Sequence, residues 1–369
     1  MEKKILSAGH ICLDITPMFP ASAAQAEISE LLRPGALVRT EGAAVSTGGS
    51  VANTGLALKM LGNEVELLGK IGQDAFGALL KSLIAGYGAG GLIEDAGSAT
   101  SYSVVLAIPG RDRLFLHCPG ANDSFSAADI SETSLEEAVL FHFGYPPLMR
   151  GMYAREGADM VEMFRRMKAH GVATSLDMAA IDPSTEAGRI DWRRILRAVL
   201  PYVDFFVPSF EELCFMLDRP RYDRLNRGGD MTEGLSLRDE ALPLAEELLE
   251  MGCGVVLIKC GTAGMLYKTA GAERLAAVGS RLPLDTAVWA DREGIQPCFR
   301  PEVVRSATGA GDTSIAAFLT AVLRGYRPEK CAALAAAEGA CCVTAYGALD
   351  GLRPLEELEA RISAGWETL

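Results

Sequence analysis

The chain has 369 residues, 49% of them hydrophobic, enough to bury a large core as one α/β domain with an appendage or as two domains. A formal net charge of −13 argues against nucleic acid as a partner, because proteins that bind it carry a basic face to neutralise its phosphates. Any phosphate bound here must be held locally, by backbone amides or a metal.

Taken in order, apolar runs that end in glycine or polar turns alternate with helical patterns. The runs are Lys4 to Ala8, Val51 to Leu61, Val65 to Ile71, Phe76 to Ala85, Val139 to Phe143 and Met160 to Ala169. They continue through Ala173 to Leu176, Ile195 to Leu200, Phe205 to Val207, Glu211 to Leu217, Ala241 to Met251 and Val255 to Ile258. Such alternation predicts an α/β fold with a mostly parallel sheet covered on both faces, and ligands at the carboxyl ends of its strands. Two stretches break the rhythm, Thr16 to Thr47 and Ser101 to Cys118. In the second, Tyr102 to Ile108 and Arg113 to His117 flank the turn Pro109-Gly110-Arg111-Asp112, which predicts a hairpin and a small β lid. Asp218 to Glu240, charged and containing Gly228-Gly229-Asp230, reads as a mobile surface insertion.

No apolar run reaches the roughly 18 residues of a membrane span. Met1 to Gly9 passes into a strand-like segment without the apolar core of a signal peptide, so a cytoplasmic protein without a membrane partner is expected. Nine scattered cysteines, including the adjacent Cys341-Cys342, form no C-x-x-C, and His10, His117, His142 and His170 have no ligand spacing. Neither a disulfide framework nor a zinc site is indicated.

The most informative stretch is Arg305-Ser306-Ala307-Thr308-Gly309-Ala310-Gly311-Asp312-Thr313, which opens the apolar helical run Ile315 to Leu323 after a short extended segment, Pro301 to Val304. A glycine turn at a helix start aims free amides at an anion and holds a carboxylate beside it. Three readings fit: a capped helix with Asp312 at the positive end of its dipole, a dinucleotide loop, or a phosphoryl-transfer site in which Asp312 accepts a hydroxyl proton. A second glycine segment, Ser46 to Gly55, precedes the helical run Leu56 to Leu61. There Gly48 and Gly49 allow close ligand approach and Asn53 offers both donor and acceptor, though a capped loop reads equally well.

Together these segments make the chain resemble the ribokinase-like (PfkB) family of carbohydrate kinases over nearly its whole length. Gly9 and Asp14, Gly62, Gly69 to Gly77, Gly120-Ala121-Asn122, Pro208 to Glu212, Lys259 to Gly264 and Thr308 to Asp312 match its pattern in order. The resemblance implies a three-layer α/β/α domain (1–15, 48–98 and 122–369) with a β lid (16–47 and 99–121), transferring the γ-phosphate of ATP to a primary hydroxyl of a sugar, sugar acid or nucleoside. It makes Asp312 the base and the amides of Gly309, Ala310 and Gly311 an anion hole. Asp14, Gly48, Gly49, Asn53 and Asn122 fall at substrate positions, and Ser209, Lys259, Gly261, Thr262, Gly264 and Thr308 at nucleotide positions. Glu212 helps organise Mg²⁺, through water. A homodimer through the exposed lid face is implied as well.

Three departures stand out. Ser209 replaces the asparagine of the family's N-x-x-E motif, and Ala336 an asparagine beside the adenine. Ser306 and Ala307 replace Asp-Thr, so a monovalent-cation requirement does not carry over. A sensor that keeps the fold and closes on a sugar or nucleoside without turnover is the rival reading.

Overall fold

Strand β9 (Ala138–Gly144) explains how one sheet serves two cores. Successive side chains of a strand point to opposite faces. Leu140 accordingly joins one apolar cluster, while Phe141 and Phe143 join the other. The same alternation recurs in β1 (Lys4–Gly9) at Ile5 and Leu6, and in β12 (Val255–Lys259) from Val255 to Ile258. The computed structural model describes residues 4–25, 27–110, 114–226 and 230–369.

The remaining strands are β2 (Cys12–Met18), β3 (Gly42–Gly48), β4 (Glu64–Leu68), β5 (Lys70–Gly72), β6 (Ile93–Asp95), β7 (Tyr102–Leu106), β8 (Leu114–Cys118), β10 (Ala173–Leu176), β11 (Phe205–Phe206), β13 (Met265–Thr269) and β14 (Glu293–Gln296). The main sheet runs β14-β13-β12-β11-β10-β9-β1-β4. It is parallel from β4 to β12 and antiparallel through β13 and β14. One face is covered by α1 (Ser50–Met60), α2 (Ala75–Ala85), α7 (Ala310–Leu323), α8 (Pro328–Cys342) and α9 (Leu355–Ser363), which bury Val51, Leu80, Phe318, Leu334 and Leu358. The other face carries α3 (Ala158–Ala169), α4 (Trp192–Val199), α5 (Phe210–Leu217) and α6 (Leu242–Glu250), which bury Phe164, Trp192, Leu213 and Leu248. This is the expected three-layer α/β/α arrangement with a mostly parallel sheet.

The small second sheet has the order β3-β2-β7-β8. Its β7 and β8 form the expected antiparallel pair, although Arg111, Asp112 and Arg113, expected in its turn and second strand, lie outside the described residues. Met1 to Lys3, where a leader was sought, and Gly228-Gly229 lie outside them too. The lid begins earlier than residue 16. Pairing of β2 with β3 runs from Cys12↔Gly48 to Met18↔Gly42, so Asp14 sits on a lid strand.

Two local expectations change. Val303 and Val304, read as part of an extended segment before the glycine turn, are 47% and 67% exposed in irregular chain that pairs with no named strand. The insertion from Asp218 to Glu240 is built onto the domain where it is described, with a helix at Arg219–Leu225 and buried Met231, Thr232 and Leu237. Thr232 packs so closely on Gly261 that a Cβ there would lie 2.6 Å from its hydroxyl.

Glu338, on α8, is fully buried and accepts the Arg353 amide at 3.2 and 3.3 Å. Burial pushes its carboxyl up from 4.5 to about 8, against the opposing pull of that amide. Folding therefore takes up a proton between those values, and stability declines as pH rises through them. Glu338→Gln keeps the acceptor and removes the titration. The variant should be the more stable protein in urea unfolding, by on the order of 1 kcal/mol at pH 8 and by less at pH 5.

Candidate active site

The N-terminus of α7 is shaped by Gly309, whose left-handed φ of 81° lets the chain enter the helix and whose missing side chain makes room for Ala348. Within this turn Ala310 N donates to Ala307 O and Thr313 N to Gly309 O. The next amides, of Gly311 and Asp312, lie in the first turn, where no helical acceptor precedes them and the helix dipole is positive. Of the three expected anion-hole amides, that of Ala310 is thus already engaged.

Asp312 is 4% exposed. Its Oδ1 accepts Thr54 Oγ1 at 3.0 Å and its Oδ2 accepts Asn53 Nδ2 at 3.1 Å, both from α1. The Tyr145 hydroxyl donates to the two oxygens at 2.9 and 2.8 Å from the end of β9. Burial, then the charge of Asp312, pushes the Tyr145 phenol well above its usual 10, so it remains a donor. Asn53, expected to bind substrate, therefore holds the carboxylate in this structure.

On the lid side, the Asp14 carboxylate lies directly over Gly48, where a Cβ would come within 2.3 Å of it. Burial raises its pKa against the opposing pull of Cys12 and Ser103. The ring of His10 packs on Gly49 and stands 5.2 Å from the ring of His117 on β8. Neither ring nitrogen of His10 has a hydrogen-bond partner among the described residues, and burial pulls the ring down to about 3. Asn122 is fully buried: Oδ1 accepts Ile11 N, and Nδ2 donates to Ile11 O and Pro119 O. Its amide braces the lid to the end of β1 and has no hydrogen left for a substrate.

At the opposite side, Lys259 ends β12 and its Nζ lies 2.7 Å from Asp177 Oδ1, just past β10. The same ammonium lies 3.6 Å from where a Cβ on Gly311 would be, so it borders the α7 amides. Burial pulls Lys259 down, but the carboxylates of Asp177, Glu212 and Asp312 outweigh it and keep it charged. Burial pushes Asp177 up to about 8 against the ammonium, with Glu212 and Asp312 adding to the rise.

Ser209 and Glu212 form a reciprocal cap at the start of α5: Ser209 Oγ accepts Glu212 N at 3.3 Å, and Glu212 Oε2 accepts Ser209 N at 2.7 Å. Gly261, Thr262 and Gly264 belong to the β12–β13 turn, and the space beside Gly264 is filled by the Gln296 carbonyl. The close approach there is to β14. The Thr308 amide donates to Ser306 Oγ at 3.2 Å. Among the described residues no group of three His, Cys, Asp or Glu side chains forms a metal cage, and no helix is long and apolar enough to cross a membrane.

The structure thus gathers Asp312, Asn53, Gly311, Lys259 and Glu212 from the sequence-based set, and adds Thr54, Tyr145, Asp177 and His10. Thr54 directly follows Asn53, and Tyr145 stands before Pro146-Pro147; those are the only local signs of either.

A buried carboxylate beside helix-start amides, with an ammonium next to them, suits proton removal coupled to anion stabilisation. The family model for pfkB family carbohydrate kinases matches residues 11–354. An uncharacterized sugar kinase of Archaeoglobus fulgidus is 24% identical over 293 residues, 78% of this chain and 95% of its own. Among solved structures, fructokinase with bound ATP from Xylella fastidiosa aligns with a TM-score of 0.72 at 21% identity, over 99% of both chains. Arabidopsis thaliana ribokinase complexed with ribose and ATP aligns at 0.71 and 19% identity, over 98% of both. The chain belongs to the pfkB family of carbohydrate kinases.

Proposed function

We propose that this kinase transfers the γ-phosphate of ATP to a primary hydroxyl of a small sugar-like acceptor, a sugar, sugar acid or nucleoside, with Asp312 as the base. The observation that carries this reading is the buried Asp312 carboxylate at the amide-bearing start of α7, next to Gly311, which Lys259 borders. A base must lie within hydrogen-bond reach of the hydroxyl it deprotonates, and transfer depends on positioning and charge stabilisation rather than covalent chemistry. The Gly311 and Asp312 amides and Lys259 face the transferred phosphate. Asp14, above Gly48 and Gly49, faces the acceptor's hydroxyls.

Mg²⁺ would neutralise the polyphosphate. Glu212 has one carboxylate oxygen outside its helix cap, and Asp177 stands near it across Lys259. Two carboxylates without a full cage fit an ion that keeps much of its water and takes phosphate oxygens as ligands. The lid supports a homodimer. Its edge strand β8 exposes Phe115 by 60% and Leu116 by 58%, apolar surface on an unpaired edge that a second lid would cover.

ADP release measured over a panel of sugars, sugar acids and nucleosides should be acceptor-dependent. Asp312→Asn should lower kcat by about 10²–10⁴-fold at saturating acceptor; near wild-type turnover would remove Asp312 as the base. Glu212→Gln should raise the Mg²⁺ concentration for half-maximal rate, and an unchanged titration would count against its role. In sedimentation velocity the wild type should run as a dimer and Phe115→Asp as a monomer.

A further inference from the structure

The Asp312 carboxylate has more support than burial alone demands. Asn53 and Thr54 already give each oxygen one hydrogen bond, and Tyr145 adds a third donor shared between both. An ionised carboxylate offers about four lone-pair sites. Because the one Tyr145 hydrogen spans both oxygens, these contacts occupy all four, and an acceptor hydroxyl reaches the carboxylate only where Tyr145 gives up one of its two oxygens.

Tyr145 reaches this position at a conformational cost. Its backbone is left-handed, with φ 65° and ψ 40°, a region that bulky residues avoid. The following residues, Pro146 and Pro147, are buried and have fixed φ, so the loop cannot easily relax. Strain of this kind persists where the surrounding structure imposes it, and it clusters at working sites. The ring lies near that of His10, centroids 6.3 Å apart, where the chain passes from β1 into the lid.

We propose that Tyr145 is a positioning residue for phosphoryl transfer, its phenol fixing the Asp312 carboxylate so that, when it keeps its bond to one oxygen and releases the other, the released lone pair is presented to the acceptor hydroxyl. This rests on the reading of Asp312 as the base. In the transfer step the acceptor O–H gives its proton to Asp312, the acceptor oxygen forms the new bond to the γ-phosphorus, and the bond to the ADP oxygen breaks. Tyr145 keeps its own proton throughout. It acts by limiting rotation of the carboxylate, and so affects the step in which the proton moves more than acceptor binding.

The test compares wild type, Tyr145→Phe and Asp312→Asn with ATP, Mg²⁺ and whichever of D-ribose, D-fructose and adenosine is turned over fastest. Tyr145→Phe removes only the phenolic oxygen. It is expected to lower kcat about tenfold or more while the KM values for acceptor and ATP stay within about twofold and the melting temperature is retained. A merely structural tyrosine would lower the melting temperature or change both KM values without that selective loss of kcat. If Tyr145→Phe does not fold, 3-fluorotyrosine at position 145 keeps the hydroxyl but strengthens it as a donor; altered kcat at constant KM supports the proposal, and unaltered kcat overturns it. Wild-type kcat in Tyr145→Phe with an inactive Asp312→Asn overturns the role of Tyr145 alone. An active Asp312→Asn overturns the base assignment and this inference with it.

Discussion

A carboxylate that is 4% exposed must be surrounded by donors, and that requirement ties the working end of this molecule together. The donors to Asp312 come from α1 and from the end of β9, so the helix layer and the sheet meet at one side chain. α1 can lie there because its residues from Ser50 to Leu58 are all buried, packed between the sheet and α7. An exposed aspartate at a helix start would make no such demand. The fold is therefore consistent around the site in a way that a capping residue alone would not require.

The parallel sheet supplies the other half of the arrangement. Gly9, Tyr145, Asp177 and Lys259 all lie at or just past the carboxyl ends of β1, β9, β10 and β12. Parallel strands place these ends on one edge, so residues far apart in the chain converge without long loops. The antiparallel pair β12–β13 then turns back, and its glycines serve that turn. The lid, joined to β1 by only His10 and Ile11, brings Asp14 over the same edge and is braced there by Asn122.

How much of this could be read from the sequence depended on whether a residue's role is local. The alternation of strands and helices, the lid hairpin and the glycine turn before Asp312 are short-range patterns, and the structure has them. The lid boundary at Cys12 was missed because β2 follows β1 almost without a break, leaving little composition change to mark it. Val303 and Val304 are β-branched, but such residues form strands only when a partner edge is available, and none lies beside Pro301 to Val304 among the described residues. Tyr145, Thr54 and Asp177 meet their partners across separations of 167, 258 and 82 residues. Apart from Asn53 before Thr54 and the two prolines after Tyr145, nothing in their neighbours signals those contacts. Ser209 and Glu212 show the reverse limit, since the same spacing encodes a helix cap that is present and a metal-side role that the fold leaves available.

Charge determines what the site can accept. Among the described residues, Asp177, Glu212 and Asp312 share the ammonium of Lys259. Unit charges about 4 Å apart interact by about 4 kcal/mol at an effective dielectric of 20, so a polyphosphate brought to this edge would be repelled by more carboxylates than Lys259 can offset. Asp177 already reflects that crowding: burial, with Glu212 and Asp312 adding to it, pushes its carboxyl up against the opposing pull of the Lys259 ammonium. If a divalent cation accompanies the nucleotide, as proposed, Asp177 and Glu212 are the carboxylates that would border it, and its charge would offset theirs. On this reading the metal is a charge requirement of these residues as well as a template for phosphate. On the lid side the balance differs, because His10 is neutral, burial pushes Asp14 up, and Asp312, which borders both sides, is held by three donors. Under the proposed function, the Lys259 side suits a polyanion that arrives with a cation, and the lid side suits a neutral hydroxyl.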